Sequence, residues 1–302
     1  MLLSICIVNW NTRDDLRRCL SSLAAGASVL EIEVCVVDNG SGDGSAEMVE
    51  QEFPRVRLIR NTDNTGFAHG NNQAIRQSRG DYVLLLNSDT IVRPGALAAL
   101  VAGMEAEPAA GIGGPKLLNA DGSLQYSCRR FPTFTAGLFR NSVFGPRTRK
   151  VRDYLMTDFD HASVAEVDWV SGAALCIRRA ALERIGLLDE RYFMYCEDVD
   201  WCYTAARAGW KVKYFPDAVI THIIGRSSDQ AVERMVRAHH HSMRLFYWKH
   251  YAPKTFPLLR WIPPLGIRLR LQLVLWSKRR EARRNRWAEL MQNENCKMKI
   301  AK

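Results

Sequence analysis

The chain has 302 residues, of which 47% are hydrophobic and 25% are charged, as in an ordinary soluble globular protein. This amount of apolar material excludes a protein whose main state is disordered. The sequence contains no run of about 18 uncharged apolar residues, and its first residues lack the basic region and cleavage site of a secretory signal, so neither a membrane span nor export is expected.

Positive charge is concentrated at the C-terminal end of the chain. The formal net charge of the whole chain is +10. Residues 244–302 contain 15 Lys and Arg against 3 Asp and Glu, whereas residues 1–243 contain 27 against 29. The sequence therefore predicts a near-neutral body and a basic tail that needs an explanation of its own.

The eight cysteines form no CxxC pair, and Cys6, Cys35 and Cys176 lie inside apolar runs. A zinc knuckle needs paired ligands at short spacing, so no zinc site is predicted. Because no export signal is recognised, the cysteines are expected to be reduced, mostly buried thiols of a cytoplasmic protein.

The first third of the chain alternates short apolar runs with helical patterns. Strands are predicted over 3–9, 33–39, 55–61 and 81–87, and helices around 16–23, 45–52 and 67–77. Continuous apolar strands separated by helices indicate an α/β fold with a Rossmann-like, mostly parallel sheet covered by helices on both faces. Such sheets bind ligands at the carboxyl ends of their strands. Polar residues gather at those ends: Asn9, Asn11, Asp38, Asn39, Asn61, Asn64, Asn87 and Asp89.

The rest of the chain is less regular. A strand is expected from residue 111, followed by a turn at Asp121–Gly122, and residues 129–160 are rich in loops. Further strands are predicted over 167–179 and 211–222. A helix is expected to begin near Glu197 and to stop at Gly209, since glycine commonly follows the last turn of a helix.

Two carboxylates at strand ends have both a structural and a functional interpretation. Asp38 can accept hydrogen bonds from a nucleobase or ribose, or it can belong to an ordinary Asp-Asn-Gly turn. Asp89 can bind a divalent cation that bridges the oxygens of a diphosphate, because hard cations prefer oxygen ligands. The alternative is that Asp89 and Thr90 cap a helix starting near Arg93.

Three acidic residues lie within four positions of one another at 197–200. Acids at a helix start are favoured by the helix dipole, but Glu197, Asp198 and Asp200 are more than a cap requires. A carboxylate here can serve as a general base toward a hydroxyl. His222 follows the end of another predicted strand and gains interest from Asp89 and Asp198, although a lone histidine is often a hydrogen-bonded structural residue.

Seven motifs occur along the chain in the order IVNWN (7–11), VVDNGSGDGS (36–45), NTGFAHGNN (64–72), LLLNSDT (84–90), SGAALCIRR (171–179), CEDVDWC (196–202) and HIIGRSS (222–228). In this order and spacing they resemble family 2 glycosyltransferases of the GT-A fold, and most of all their bacterial rhamnosyltransferase-like branch. The resemblance covers residues 1 to about 250.

The resemblance implies a role for each matching residue. In the donor pocket, Asp38 would hold the base of the nucleotide and Gly172 would form part of the sugar and acceptor wall. Asp198 would be the catalytic base, with Glu197 as the alternative. Asp89 and His222 would hold Mg²⁺ or Mn²⁺. The other residues implied in nucleotide-sugar binding are Asn9, Asn11, Asn64, Gly66, Phe67, Asn87 and Ser88. Asn87 departs from the family's DxD signature, which has Asp at this position.

The branch also implies a substrate and a mechanism. The donor is expected to be dTDP-L-rhamnose, with a UDP- or GDP-hexose as the alternative, and the acceptor a cell-surface polysaccharide or a lipid-linked saccharide. A single inverting displacement would turn a β-linked nucleotide rhamnose into an α-rhamnoside. A sugar nucleotidyltransferase is disfavoured because NWNTRDD stands where a Gly-rich loop with a basic residue is needed. An inactive scaffold is disfavoured by the presence of Asp89, Asp198 and His222.

The predicted domains are a GT-A domain over 1–250 and a basic amphipathic helical extension over 251–302. In the extension, Leu265, Leu269, Leu273 and Trp276 can share one helical face beside Arg and Lys, which favours docking on an anionic membrane. The alternative is a helix packed on the body. The enzyme is expected to be cytoplasmic and peripheral on the inner face of the cell membrane. Binding of nucleic acid by the basic tail is disfavoured because the body is slightly acidic.

Overall fold

The computed structural model describes residues 1–26, 30–133, 148–223 and 232–280. The part of the predicted basic tail beyond residue 280, and residues 224–228 of the HIIGRSS motif, lie outside the described residues. Contacts divide the chain into two compact units, Met1–Gln230 and Ala231–Lys302. The predicted division at residue 250 thus falls inside the second unit, and as a domain boundary it stays a prediction.

The first unit is built on a large mixed sheet and a separate two-stranded ribbon. Its strands are β1 Leu2–Asn9, β2 Glu31–Asn39, β3 Arg57–Asn61, β4 Tyr82–Asn87, β5 Thr90–Val92, β6 Ala110–Leu118, β7 Leu124–Gln125, β8 Cys128–Arg129, β9 Ala165–Val167, β10 Trp169–Val170, β11 Ala174–Arg178 and β12 Lys211–His222. Its helices are α1 Arg13–Gly26, α2 Ser45–Glu52, α3 Phe67–Gln77, α4 Ala96–Ala106, α5 Arg149–Leu155, α6 Arg179–Ile185 and α7 Glu197–Arg207.

The strand order of the sheet is β3-β2-β1-β4-β11-β6-β12-β5. The half formed by β3, β2, β1 and β4 is entirely parallel, as the alternating strand and helix patterns predict. Beyond it, β11 runs antiparallel between β4 and β6, and β5 and β9 pair antiparallel with β12. β7 pairs with β6, and β8 pairs with β10 in a separate two-stranded ribbon.

The central strands are buried on both sides, which explains their continuous apolar sequences. From β1, the side chains of Leu3, Ile5 and Ile7 enter a core with Leu16, Leu20 and Leu23 of α1. Successive side chains of a strand alternate between faces. Val8 accordingly meets α3 on the other face, where a Cβ on Gly70 would lie 3.0 Å from both of its methyl carbons. The absence of a side chain at Gly70 therefore lets α3 approach β1 closely.

The second unit is an antiparallel pair of helices, α8 Val232–His250 and α9 over 262–280, joined through short 3₁₀ turns at Ala252–Lys254 and Leu259–Trp261. Arg279 near the end of α9 binds Glu233 at the start of α8, with a nitrogen–oxygen distance of 2.7 Å. At the joined end, the Tyr247 hydroxyl donates to the Arg260 carbonyl at 2.9 Å. Among the described residues, none of the helices has both the length and the apolar character needed to cross a membrane.

Candidate active site

The parallel register brings polar side chains together at the carboxyl ends of the strands. Asn9 at the end of β1 is paired with Asp38 of β2, and Val8 is paired with Asn87 at the end of β4. β5 then returns beside β12, so that His222 lies opposite Thr90. Strand β5 separates Asp89 from helix α4, which begins at Ala96, so Asp89 is not the cap of that helix.

The first part of the site is a hydrogen-bond network around Asp38. The Asn9 amide donates to Asp38 Oδ1 at 3.1 Å, and the Ser41 backbone N–H donates to Asp38 Oδ2 at 2.9 Å. Each carboxylate oxygen therefore has one protein donor and retains a lone pair for a ligand. Asn9 is fully buried, and its amide oxygen accepts from the Thr12 hydroxyl at 2.6 Å, so Asn9 holds its amide N–H toward Asp38.

Asn11 lies at the entrance to this network in an unusual backbone conformation. Its φ is +54°, in the left-handed region that asparagine tolerates better than most residues. The conformation lets its side-chain oxygen accept from Gly42 N–H at 2.8 Å while its own backbone N–H donates to Ser41 Oγ at 2.9 Å. Asn11 thus ties the end of β1 to the turn that follows Asp38.

The second part of the site is the loop from Asn64 to Phe67. Gly66 has a φ of +93°, and a Cβ there would lie 2.5 Å from the Phe193 carbonyl oxygen, so only glycine fits. The same carbonyl accepts from Phe67 N–H at 2.8 Å, and Asn64 Oδ1 accepts from Gly66 N–H at 3.0 Å. These contacts fix the start of α3 against the segment that precedes α7.

The third part of the site joins Asp89 to His222. Asp89 Oδ1 lies 3.3 Å from His222 Nε2, and both side chains are largely buried. Asn87 Nδ2 approaches the same ring nitrogen at 3.3 Å, and Gln125 Oε1 lies 2.7 Å from the other ring nitrogen, Nδ1. The buried Ser88 hydroxyl is 2.9 Å from that of Thr12, which links this pair to the Asn9 network.

The Asp89–His222 pair fits a divalent cation held mainly by a substrate. The described residues contain no cluster of three or more His, Cys, Asp or Glu side chains able to enclose a metal ion. A cation with one carboxylate and one imidazole ligand needs further oxygens, and Mg²⁺ sites are commonly completed by substrate phosphates and water. Carboxylate and phosphate oxygens suit Mg²⁺ or Mn²⁺, whereas an imidazole ligand is more typical of transition metals.

The fourth part of the site is the Asp198 carboxylate in the first turn of α7. Its Oδ2 accepts from Gly172 N–H at 2.9 Å, and its Oδ1 accepts from Val199 N–H at 2.8 Å. A Cβ on Gly172 would lie 3.4 Å from Asp198 Cβ and 3.5 Å from the Phe67 ring. The absence of a side chain at Gly172 therefore lets Asp198 approach the loop from Asn64 to Phe67. The Asn87 backbone N–H donates to the Ala173 carbonyl at 2.9 Å. Because Ala173 follows Gly172 in the chain, this bond connects the surroundings of Asp198 with the Asp89–His222 pair.

Glu197 and Asp198 differ in their surroundings. Burial raises the pKa of both carboxyl groups. Asp198 is half-buried and receives two backbone N–H groups, and the nearby Arg129 guanidinium also favours its ionised form. Glu197 is buried, its Oε2 has no hydrogen-bond partner, and the Asp198 charge raises its pKa further. The pKa of Glu197 is therefore raised more strongly, whereas hydrogen bonds and Arg129 oppose the rise in the pKa of Asp198.

All of the residues predicted to form the site thus lie in one connected set at the carboxyl end of the sheet. Sequence reasoning missed several residues that support them. Thr12 and Ser41 lie inside or beside the quoted motifs, so their polar character was a usable signal. Gln125 lies on a two-residue strand outside every motif, and no sequence pattern pointed to it.

Similarity to known proteins shows the family of this chain. The family model described as "Glycosyltransferase like family 2" matches residues 2–239. This chain is a family 2 glycosyltransferase. The N-acetylglucosaminyl-diphospho-decaprenol L-rhamnosyltransferase of Mycobacterium tuberculosis (strain ATCC 25618 / H37Rv) is 31% identical, with 94% of this chain and 96% of that protein aligned. Rhamnosyltransferase WbbL of Escherichia coli (strain K12) is 29% identical over 50% of this chain and 58% of its own length. The predicted rhamnosyltransferase-like branch is thereby confirmed.

Solved structures confirm the GT-A fold. The mannosyltransferase PcManGT from Pyrobaculum calidifontis, solved in complex with GDP-Man and Mn²⁺, matches with a TM-score of 0.56 over 90% of this chain and 70% of that chain, at 18% identity. S. aureus TarS 1-349 matches with a TM-score of 0.52 over 90% of this chain and 81% of that chain, at 16% identity.

The different surroundings of the two acids predict a pH-dependent effect of Glu197→Gln. With a raised pKa, folded Glu197 keeps a proton that the unfolded chain releases above the ordinary glutamate value. The unfolding free energy of the wild type therefore falls as the pH rises from that value toward the folded pKa. Glutamine removes this dependence, so urea unfolding should show that Glu197→Gln gains stability relative to the wild type with increasing pH.

The control for this measurement is Glu183→Gln on the exposed side of α6. We expect it to change the unfolding free energy by less than about 0.5 kcal/mol at every pH. A Glu197→Gln variant whose difference from the wild type stays constant with pH would contradict a protonated Glu197.

Proposed function

We propose that this enzyme transfers L-rhamnose from dTDP-L-rhamnose to a lipid-linked saccharide, with inversion at the anomeric carbon. The observation that carries this proposal is the 31% identity with the N-acetylglucosaminyl-diphospho-decaprenol L-rhamnosyltransferase of Mycobacterium tuberculosis, along almost the whole of both chains. The similarity to a second rhamnosyltransferase supports the same sugar.

The donor nucleotide is proposed to bind in the pocket around Asp38. The free lone pairs of this carboxylate suit the N–H of a pyrimidine base, and Asn11 stands at the entrance. Asn64, Gly66 and Phe67 are proposed to continue the wall, because Phe193 fixes the backbone of Gly66 and Phe67, Asn64 accepts from Gly66 N–H, and the Phe67 ring lies near Gly172. Asn9 and Ser88 are proposed to position the pocket without touching the nucleotide. Both are buried, and both are hydrogen-bonded to Thr12.

Asp89 and His222 are proposed to hold Mg²⁺ or Mn²⁺ against the donor diphosphate. Such a cation neutralises charge that develops on the departing diphosphate. The carboxylate and the imidazole are already adjacent, so binding requires little rearrangement. Asn87 lies beside both and can donate its amide N–H to a diphosphate oxygen.

Asp198 is proposed to be the general base. Its carboxylate accepts the proton of an acceptor hydroxyl, whose oxygen attacks the anomeric carbon on the face opposite the nucleotide. The bond from that carbon to the diphosphate oxygen breaks, and the diphosphate leaves with the bonding electron pair. The two backbone N–H groups on Asp198 fix the orientation of the carboxylate, and positioning of this kind is a large part of the work in a displacement.

A donor screen tests the proposed reaction. The purified enzyme is incubated with a polyprenyl diphosphate-linked N-acetylglucosamine acceptor and with dTDP-L-rhamnose, UDP-hexoses or GDP-hexoses, with and without Mn²⁺. We expect acceptor-dependent release of dTDP and formation of an α-rhamnoside. Turnover with a UDP- or GDP-hexose alone would reassign the donor, and undiminished turnover in EDTA would contradict the cation.

Asp198→Asn should lower turnover by about 10²–10⁴, because the amide cannot take the proton of the acceptor. Binding of dTDP, followed by calorimetry, should be nearly unchanged, since Asp198 is proposed to touch the acceptor and not the nucleotide. The matched variant is Asp200→Asn on the same helix, where the carboxylate accepts from the Tyr192 hydroxyl instead. An active Asp198→Asn together with an inactive Glu197→Gln would exchange the roles of the two acids.

We further propose that the second unit docks on an anionic membrane. One stripe of α9 is exposed to solvent, with relative exposures of 57% for Leu265, 59% for Leu269, 68% for Leu273 and 62% for Trp276. Phe256, Leu258, Leu259, Trp261 and Ile262 are also exposed, at or near the start of α9. Large apolar side chains that remain exposed together indicate a surface for a partner.

The charge of this segment favours a lipid surface over a protein or a nucleic acid. Lys and Arg outnumber acids fivefold from residue 244 onward, and each basic group near an anionic leaflet contributes about 1 kcal/mol. Apolar anchors interleaved with basic residues are typical of helices that lie in the membrane interface. An enzyme docked in this way lies close to a lipid-linked acceptor.

Replacing Leu265, Leu269 and Leu273 together by serine should abolish binding to anionic liposomes. Burial of a leucine side chain contributes about 1.5–3 kcal/mol, so we expect the partition coefficient to fall by more than about a hundredfold. The exposed Val164→Ser, in the first unit, is the control. Stability should be unchanged in both variants. Unchanged sedimentation with liposomes, or binding to DNA that competes with liposomes, would contradict the proposal.

A further inference from the structure

The proposed cation site depends on which nitrogen of His222 carries the proton. A neutral imidazole ligates a metal through its unprotonated nitrogen. In this structure Nε2 faces Asp89. For His222 to bind a cation beside Asp89, Nε2 must therefore be unprotonated and the proton must be on Nδ1. Asp89 Oδ1, at 3.3 Å from Nε2, is itself an acceptor that favours the opposite tautomer. Some other contact must therefore keep the proton on Nδ1.

A chain of hydrogen bonds behind His222 supplies that contact. It begins at the surface turn between β6 and β7, where the Ser123 hydroxyl donates to Asp121 Oδ1 at 2.6 Å. This bond, with a second one from the Ser123 backbone N–H, lowers the pKa of Asp121, so the carboxylate is ionised and can only accept. The Ser123 oxygen consequently offers a lone pair, and not a proton, to its next neighbour.

That neighbour is Asn119, whose amide Nδ2 donates to Ser123 Oγ at 2.9 Å. Its orientation leaves Oδ1 to accept from Gln125 Nε2 at 2.9 Å. Gln125 Nε2 also donates to the backbone carbonyl of His222 at 3.3 Å. Two acceptors therefore fix the amide of Gln125 in one orientation, with its oxygen facing the ring.

The last bond in the chain decides the tautomer. Gln125 Oε1 lies 2.7 Å from His222 Nδ1 and can only accept, so Nδ1 must carry the proton. Nε2 is left unprotonated, as the approach of the Asn87 amide nitrogen to it at 3.3 Å also requires. Asn87 matters here because an aspartate in its place would present a second acceptor to Nε2.

We propose that Gln125, oriented by Asn119 and Ser123, is a positioning residue that holds His222 in the Nδ1–H tautomer and directs its Nε2 lone pair toward the cation beside Asp89. This inference rests on the cation site of the proposed function. Histidine ligands of metals commonly donate their second N–H to an oxygen acceptor, and loss of such a partner typically weakens metal binding about 10- to 100-fold.

The first test is spectroscopic and needs no metal. Long-range ¹H–¹⁵N correlation spectra of the cation-free protein are recorded at a pH where the ring is neutral, with the His222 signals assigned by their loss in His222→Ala. We expect a protonated Nδ1 and an unprotonated Nε2 in the wild type. In Gln125→Leu the proton should move to Nε2, where Asp89 accepts it.

The second test measures the affinity for Mn²⁺ alone by titration and electron paramagnetic resonance. We expect Gln125→Leu to bind Mn²⁺ about 10- to 100-fold more weakly than the wild type. Asn119→Leu, which frees the Gln125 amide to rotate, should weaken binding in the same direction and replaces Gln125→Leu if the latter fails to fold. Gln51→Leu, the same change at an exposed position of α2, is the control.

The two proposals fail in different ways. If Asp89→Ala and His222→Ala lose Mn²⁺ binding while Gln125→Leu keeps wild-type affinity and tautomer, the cation site stands and the role of Gln125 is refuted. If Asp89→Ala and His222→Ala bind Mn²⁺ like the wild type, the cation site itself is wrong and the positioning role falls with it. A wild-type spectrum with a protonated Nε2 would refute the tautomer assignment directly.

Discussion

The pairing of β1 with β2 on one side and β4 on the other is the constraint on which the site depends. It sets Asn9 opposite Asp38 and Val8 opposite Asn87, so the strands end at the same level. A shift of one residue in either pairing would turn every side chain to the opposite face of the sheet. Apolar side chains buried on both faces of β1 make such a shift costly, and the core thereby holds the polar residues in register.

The parallel half of the fold and most of the site residues could be predicted from the sequence. Short apolar runs followed by Asn or Asp mark β1, β2 and β4 and the edge where these strands finish. The antiparallel insertion of β11 between β4 and β6 could not be predicted, because an apolar strand carries no signal of its direction. Gln125 was equally hidden, since its importance comes from the three groups around it and not from the residues that adjoin it in the sequence.

Two neighbouring acids have been given different properties by small differences in their surroundings. Glu197 and Asp198 are adjacent in one helical turn, yet only Asp198 receives two backbone N–H groups and turns toward Gly172. Glu197 is buried with an unpartnered oxygen. Low polarity stabilises the protonated form of a carboxyl group, whereas N–H donors stabilise the ionised form. Gly172 thus contributes to the chemistry of the proposed base through its backbone alone.

The pairing of β5 with β12 has a consequence for how the enzyme is made. Asp89 and His222 are more than 130 residues apart in the chain, whereas Asn9 and Asp38 are 29 apart. Contacts that are distant along the chain close late, because more chain entropy is lost in forming them. A nascent polypeptide can thus pair Asn9 with Asp38 long before the last strand arrives. It acquires both halves of the proposed cation site only when β12 has left the ribosome, so catalytic competence and completion of the sheet coincide.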